Sequence, residues 1–364
     1  MTSLQKKRIL LIAPALGPIG SGENGGVERR IRDMIRALGK RRYHITVMAL
    51  PGSTGIDATI ITVAGTPPFD ATKISRQTEP MYPSGNAVVA MWEAARLVQN
   101  RFDCIIGLQY DIPAYQASVH FTTPVGHIVT VGSQNHSIDR ALRAAYRRSP
   151  DQIAFLSKSQ AASYPQVTHP TIFPIGTTVD TAIFRPSLNP QRRLIWAARI
   201  YREKGLHIAT AVAHRLALPL DICGRKQDPE YFMQCVEPYP QLQWSYHGFL
   251  PDRAFAQVIG SASVMLAPYL SPEGIPGTVM ASLACGTPVV GTPAGGISDV
   301  ITPSVGRLVS MDAEVPTFVR AVREAMQLDR QHIPAAIKRY SLEAFADSLE
   351  HWIEILIGES KNKA

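Results

Sequence analysis

A single carboxylate lies in a loop between two apolar stretches in the second half of the chain. Glu273 follows the apolar run Ala262–Leu266, which has the length and composition of a buried strand. The next apolar run, Val279–Cys285, predicts a short helix that ends at Gly286. Because the N-terminus of a helix presents unpaired N–H groups and a positive dipole end, this arrangement predicts a phosphate site beside one carboxylate.

A second candidate cluster is cationic. Arg199 and Lys204 follow the predicted strand Arg193–Ala198, and Gly205 comes immediately before a predicted helix. Arginine offers a fork of hydrogen-bond donors and lysine a mobile point charge, so both side chains suit an anionic ligand.

The surrounding elements alternate between strand and helix. The first of them, the strand Arg8–Pro14, a glycine-rich loop, the helix Val27–Leu38 and the strand Tyr43–Leu50, form a β-loop-α-β unit typical of nucleotide-binding folds. Further strands are predicted over residues 103–107, 127–131, 152–156, 171–175, 220–224 and 288–291, and helices over 137–148, 311–328 and 342–357. The alternation predicts two doubly wound α/β domains that join near residue 186.

The glycine-rich loop is open to several interpretations. Gly20–Gly25 fits the dinucleotide fingerprint G-x-G-x-x-G, which would indicate a dehydrogenase. Against this, the glycines begin well beyond the strand end, and Pro51 stands where an acidic residue would hold a ribose. A flexible loop with a helix cap is the simplest alternative.

Composition sets broad limits on the function. The chain has 364 residues, of which 45% are hydrophobic and 18% charged, so it is globular and long enough for two domains. The net charge of +8 indicates anionic partners without identifying them. The four cysteines lack the spacing of metal ligands, which predicts buried thiols in a reducing compartment.

The segment Cys285–Val290, with the sequence Cys-Gly-Thr-Pro-Val-Val, resembles the donor-site signature of retaining GT-B glycosyltransferases. This large group 1 (family 4-like) family includes sucrose synthases and bacterial mannosyltransferases. Its Glu-x7-Glu motif aligns with Glu273 and Ala281, so the second glutamate is absent. The stretch Arg199–Gly205 is similar to the family's Gly-Arg-x4-Lys-Gly, and Gly25–Glu28 to its Gly-Gly-x-Glu.

The resemblance covers nearly the whole chain and implies a GT-B fold, in which two Rossmann-like doubly wound domains face each other across an interdomain cleft. Residues 1–186 would form the acceptor-binding domain and residues 187–340 the nucleotide-sugar-binding domain. Residues 341–364 would form a helix that returns toward the N-terminal domain.

The resemblance also implies roles for individual residues. Arg199 and Lys204 would stabilise the charge that grows on the leaving diphosphate, and Glu273 would bind hydroxyls of the donor sugar. A catalytic histidine of the family aligns with Gly132, which leaves His136 as the nearest candidate. The implied catalytic residues are Glu273, Arg199, Lys204 and His136. The implied donor-binding residues are Gly25, Gly26, Arg199, Lys204, Phe249, Leu250, Glu273, Pro276, Gly277 and Thr278.

The implied activity is transfer of a sugar, with retention, from a nucleotide-diphosphate sugar to a hydroxyl on a small-molecule, glycan or lipid-linked acceptor. No Asp-x-Asp sequence is present, so we expect neither a metal nor another cofactor. Because Ala281 replaces a glutamate, a non-catalytic sugar-nucleotide-binding or regulatory protein of the same fold is the alternative. A nucleic-acid partner is not expected, since only the net charge favours one.

The sequence contains no apolar run long enough to span a membrane and no signal peptide, so we expect a cytoplasmic protein. Two predicted helices have strongly basic faces, around Arg29–Arg42 and Arg140–Arg148. These faces are either simply solvated or in contact with an anionic membrane or acceptor.

Overall fold

The computed structural model describes residues 6–22, 26–39, 41, 43–70, 75–172, 178–271 and 274–358. Contacts divide the chain into two units, one formed by Met1–Gly176 with Leu342–Ala364 and the other by Thr177–Ser341. Residue 186, the predicted domain boundary, lies within the second unit.

The first unit is built on a seven-stranded parallel sheet with the order β3-β2-β1-β4-β5-β6-β7. Its strands are β1 (Lys7–Ile12), β2 (Tyr43–Ala49), β3 (Thr59–Thr62), β4 (Cys104–Gly107), β5 (Val125–Ile128), β6 (Ile153–Phe155) and β7 (Thr171–Ile172). Its helices are α1 (Gly26–Gly39), α2 (Ala87–Val98), α3 (Ile112–Ala117), α4 (His136–Arg148), α5 (Lys158–Ala162) and α12 (Leu342–Leu356). The central strands β4, β5 and β6 are buried along their whole length, as expected for a sheet covered on both faces.

The second unit holds a six-stranded parallel sheet with the order β10-β9-β8-β11-β12-β13. Its strands are β8 (Leu194–Ala197), β9 (Leu220–Cys223), β10 (Trp244–Gly248), β11 (Val264–Ala267), β12 (Val289–Gly291) and β13 (Gly306–Leu308). Its helices are α6 (Leu206–Leu216), α7 (Pro229–Val236), α8 (Asp252–Ser261), α9 (Gly277–Ala284), α10 (Ile297–Val300) and α11 (Val315–Ala325). The predicted two-domain parallel α/β architecture is therefore confirmed.

The last helix, α12, packs in the first unit. Arg41, just beyond α1, forms ion pairs with Asp347 and Glu350 of α12. The Trp352 indole donates to the Asp151 carbonyl at 2.7 Å. Gly126 makes room for this ring, because a Cβ at that position would lie 2.5 Å from it. Arg41, one of the basic residues near the end of α1, thus binds α12 rather than an external partner.

Candidate functional site

The described site residues of the second unit lie at one edge of its sheet. The strands of this sheet are parallel, so the loops that follow β8, β9, β10 and β11 all leave from the carboxyl edge, where such sheets bind ligands. The residues concerned are Arg199 and Lys204 after β8, Phe249 and Leu250 after β10, and Pro276, Gly277 and Thr278 after β11.

The backbone at Lys204 is held in place by its neighbours. Lys204 ends a short 3-10 turn, and its carbonyl accepts a hydrogen bond from the Trp196 indole at 3.0 Å. Gly205 follows with φ +67°, and a Cβ at that position would lie 2.1 Å from the Pro268 carbonyl oxygen. Only glycine fits such a backbone, so the family-like Lys-Gly pair has a steric reason here. The Leu270 amide donates to the carbonyl of Glu203, which ties the loop after β11 to the same turn.

The charge of Lys204 is strongly affected by its surroundings. Its side chain is almost fully buried, with 4% exposed, whereas Arg199 is exposed. The pKa of Lys204 is lowered to about 8, mainly by burial and also by the positive charge of Arg199, while Glu203 opposes the shift. Two like charges held near each other in this way favour the approach of an anion, which relieves their repulsion.

Tyr269 connects this lysine to the start of α9. The Lys204 ammonium lies 5.1 Å from the centre of the Tyr269 ring, and the Tyr269 hydroxyl lies 3.4 Å from the Thr278 hydroxyl. The same phenol donates to the Ala197 carbonyl at the end of β8. Sequence reasoning did not single out Tyr269, because its contacts come from residues far apart in the chain.

The predicted helix after the carboxylate loop is present as α9. Pro276 is its N-cap and its side chain makes no capping bond to the first turn, whose amides are of the kind that suit an anion. Gly277 and Thr278 in this turn are half-buried. Gly296 allows the preceding loop to approach, since a Cβ there would lie 2.5 Å from the Ile275 nitrogen.

Two predicted residues, Glu273 and Gly25, lie outside the residues that the structure describes. Ala281, at the position of the missing glutamate, lies within α9 and is fully buried. Any group that replaced its methyl would therefore have to displace packed neighbours.

In the first unit, His136 begins α4 and is exposed. Its amide donates to the Arg76 carbonyl at 3.0 Å. The helix is capped by the preceding residue, Asn135, whose side chain accepts hydrogen bonds from the amides of Ser137 and Ile138. The imidazole therefore lies at an exposed helix N-terminus of the first unit, while the cationic pair belongs to the second.

The glycine-rich loop after β1 is held by a buried carboxylate. Glu28 in the first turn of α1 accepts hydrogen bonds from the amides of Gly20 and Gly22, both at 2.9 Å. Gly26 begins α1 and is exposed. Two amide donors of the loop are thus already used within the protein. The glutamate of the Gly-Gly-x-Glu motif has a structural role that its sequence position alone does not reveal.

Comparison with known proteins gives a family match for part of the chain and a fold for nearly all of it. Residues 191–327 match the family model described as Glycosyl transferases group 1. The chain is 25% identical over 172 residues to 2-deoxystreptamine N-acetyl-D-glucosaminyltransferase of Streptomyces fradiae, and the alignment covers 43% of this chain and 41% of that protein. The chain thus spans less than half of that relative's length.

Two solved structures resemble nearly the whole chain. AviGT4, a glycosyltransferase involved in avilamycin A biosynthesis, has a TM-score of 0.69 at 17% identity and covers 97% of this chain and 98% of its own. Anabaena HepE, in complex with UDP and glucose, has a TM-score of 0.74 at 13% identity and covers 96% of this chain and 100% of its own. The fold is GT-B.

In this GT-B protein, the family match lies wholly within the second unit, which also contains Arg199, Lys204 and α9. Within the part of the chain that the structure describes, no helix is long and apolar enough to cross a membrane. The same part contains no group of three or more His, Cys, Asp or Glu side chains placed to hold a metal ion.

Proposed function

We propose that this protein is a retaining glycosyltransferase that moves a sugar from a nucleotide-diphosphate sugar to a hydroxyl of an acceptor. The observation that carries the proposal is the pair Arg199 and Lys204, held at the carboxyl edge of the sheet that matches the group 1 family. The solved complexes of HepE with UDP and UDP-glucose support a donor of this class.

The cationic pair would act on the leaving group. When the bond between the anomeric carbon and the diphosphate breaks, negative charge grows on the phosphate oxygens. Fixed positive charges stabilise this state more than the ground state, which is the condition for catalysis. The charged form of Lys204 would be stabilised most by a bound diphosphate, because without ligand this side chain is buried near another cation.

Retention requires that the new bond form on the face that the diphosphate leaves. In the proposed step the acceptor oxygen bonds to the anomeric carbon, and its proton moves to the departing phosphate oxygen. Glu273 would bind hydroxyls of the donor sugar, and His136 would act near the reacting sugar. The reaction is proposed to need no metal ion, because Arg199, Lys204 and the amides of α9 would hold the diphosphate.

The direct test measures calorimetric affinity for UDP, GDP and ADP. Arg199→Ala and Lys204→Ala should each weaken the best ligand by roughly ten-fold or more, since each removes a charge-assisted contact worth about 1.5–3 kcal/mol. Arg202→Ala is the matched control, because this arginine lies in the same turn and is exposed, and its charge acts on His207 and Tyr231. Unchanged affinity in the Arg199/Lys204 double variant would refute the assignment.

Turnover is tested separately with a panel of nucleotide sugars and acceptors, by release of nucleoside diphosphate. Glu273→Gln should lower the rate strongly while melting stays nearly unchanged. NMR of the product gives the anomeric configuration, and activity that survives EDTA supports a metal-independent reaction. An inverted product would refute the proposed stereochemistry.

One observation favours a second candidate function. Ala281 replaces a family glutamate, which suits a protein that binds sugar nucleotides without turning them over. Tight binding of a nucleotide sugar with no transfer or hydrolysis across the panel would support this alternative.

Contact with an anionic membrane is proposed for α4 in particular. His136, Arg140, Arg143 and Arg147 recur at helical spacing on its accessible side, and of these Arg140 also pairs with Glu79 at 3.2 Å. Arg41 near α1 is engaged by two carboxylates of α12. An amphipathic helix with such a face suits anionic headgroups. The acceptor would then be lipid-linked or held close to the membrane.

A further inference from the structure

The sheet of the second unit has two edge strands, and they differ in how they are protected. β13 is three residues long and includes the charged Arg307. β10 has five residues, Trp244–Gly248, and none of them is Asp, Glu, Lys or Arg. An edge strand presents unpaired backbone groups, and short length or charge normally keeps another strand from adding to it. The edge at β10 lacks both forms of protection.

The hydrogen bonds of β10 show which of its residues face outward. The Leu220 amide donates to the Gln243 carbonyl at 2.9 Å, and Trp244 stands opposite Leu220 in the register. In a parallel ladder this pattern directs the N–H and C=O groups of Trp244 and Tyr246 away from β9. Within the described residues, no strand other than β9 pairs with β10. Backbone donors and acceptors at Trp244 and Tyr246 therefore line this edge.

The side chains at the same two positions are large and partly uncovered. Trp244 is 40% exposed and Tyr246 36%, and both rings contact Phe232 of α7 on one face of the sheet. Ser245 lies between them, so its side chain belongs to the opposite face, where it is exposed. An added strand would cover the aromatic pair on one face and meet a small side chain on the other.

We infer that β10 pairs with β10 of a second copy of this chain, antiparallel, about a two-fold axis at Ser245. In this register Trp244 of each copy stands opposite Tyr246 of the other, and each such pair exchanges both of its N–H···O bonds. Opposite residues share a face, where aromatic cross-strand pairs stabilise a sheet. The bulge at His247, where the register with β9 shifts, ends the pairing. Because both copies use the same surface, the assembly closes at two subunits.

The charges beside the strand favour the antiparallel orientation. The Lys226 ammonium lies 4.6 Å from the centre of the Tyr246 ring, at the carboxyl end of β10. Glu237 is exposed at the end of α7, from which the chain turns into the amino end of β10. A two-fold axis across the strand brings the lysine end of one copy to the glutamate end of the other. Such complementarity fixes the register of an interface.

Ser245 gives a direct test, because the axis places its two copies opposite each other. The Cα atoms of such a non-hydrogen-bonded pair are about 4.5 Å apart, which a disulfide can span. The native cysteines are all buried, so Ser245→Cys should form a covalent dimer of the full chain under mild oxidation. Gln243→Cys is the matched control, since Gln243 is exposed on the same face but its two copies would lie roughly 13 Å apart.

Sedimentation velocity of the unmodified chain measures association without a cross-link. We expect the mass to rise with concentration from 39.8 kDa to twice that value. Ser245→Lys places two like charges opposite each other and should weaken the dimer by roughly five-fold or more, whereas Ser245→Ala should not.

These results do not depend on the proposed function, because no nucleotide or acceptor enters the assay. A mass that stays at 39.8 kDa at every concentration would overturn the inference and leave the edge to a strand of another protein. Growth beyond two copies, or cross-linking of both cysteine variants alike or of neither, would overturn it as well. An unchanged dimer in Ser245→Lys would place the contact on another surface, with the same consequence. A dimer that is cross-linked only through Ser245→Cys and weakened by Ser245→Lys would establish the interface.

Discussion

Lys204 should make diphosphate binding depend on pH. In the free protein its pKa is about 8, below the ordinary value of 10.5, mainly because the side chain is buried. Lys204 therefore loses its proton as the pH rises through 8, before any ligand binds. A bound diphosphate favours the charged form and raises the pKa again. Affinity must then fall as the pH rises above 8, because binding requires uptake of the lost proton.

The size of the effect follows from these two pKa values. If the bound diphosphate restores the pKa of Lys204 to its ordinary 10.5, proton linkage weakens binding by about eight-fold between pH 7.5 and 9.0. This factor corresponds to about 1.2 kcal/mol. Tyr269, which lies against the ammonium, does not titrate in this window, because burial raises its pKa to about 12.

Calorimetry with UDP across this pH range measures the change, and Lys204→Arg provides the reference. An arginine stays charged throughout, so any slope left in the variant belongs to the nucleotide or to other groups. The reasoning would be refuted by a wild-type affinity that is constant with pH, or by an equal slope in Lys204→Arg.

Three further outcomes are expected. Gly205→Ala should lower the melting temperature by several degrees, because a Cβ there meets the Pro268 carbonyl and a left-handed backbone costs about 1–2 kcal/mol. Gly39→Ala is the control and should not lower it, because a Cβ at that position has no atom within 4 Å. Ala281→Glu should lower the melting temperature more than Ala281→Gln, which is equally large, because glutamate adds a charge at a fully buried position. A gain in nucleotide affinity without any loss of stability would contradict this expectation. The double variant Arg143→Glu/Arg147→Glu on α4 should reduce sedimentation with vesicles that contain phosphatidylserine, whereas Arg36→Glu on α1 should not. An equal loss in both variants would show that α4 is not the membrane-binding helix.

The fold could be predicted because its central strands are apolar on both faces. Continuous runs such as Arg8–Pro14 and Arg193–Ala198 cannot be covered on one side only, and both lie in central strands of parallel sheets. The edge strand β10 was not predicted as a strand, since its side chains are largely exposed and include Trp244 and Tyr246. Hydrophobic pattern carries little information where a strand borders solvent.

The candidate site could be predicted only in part. The positions of Arg199 and Lys204 follow from their place after a strand, but the low pKa of Lys204 does not, since it arises from burial in the fold. The contact with Tyr269 joins residues 65 positions apart (269 − 204). Glu28 likewise bonds amides of an irregular loop, whose path no periodicity encodes.

The departure at Ala281 bears on how the proposed donor site would recognise a nucleoside. The resemblance assigns the missing glutamate to the ribose, and the methyl in its place is enclosed by the packing of α9. A buried methyl offers no hydrogen bond to a hydroxyl, so in the proposed site this helix would contribute to the donor through its first-turn amides. Recognition of the ribose hydroxyls would then have to come from residues outside α9.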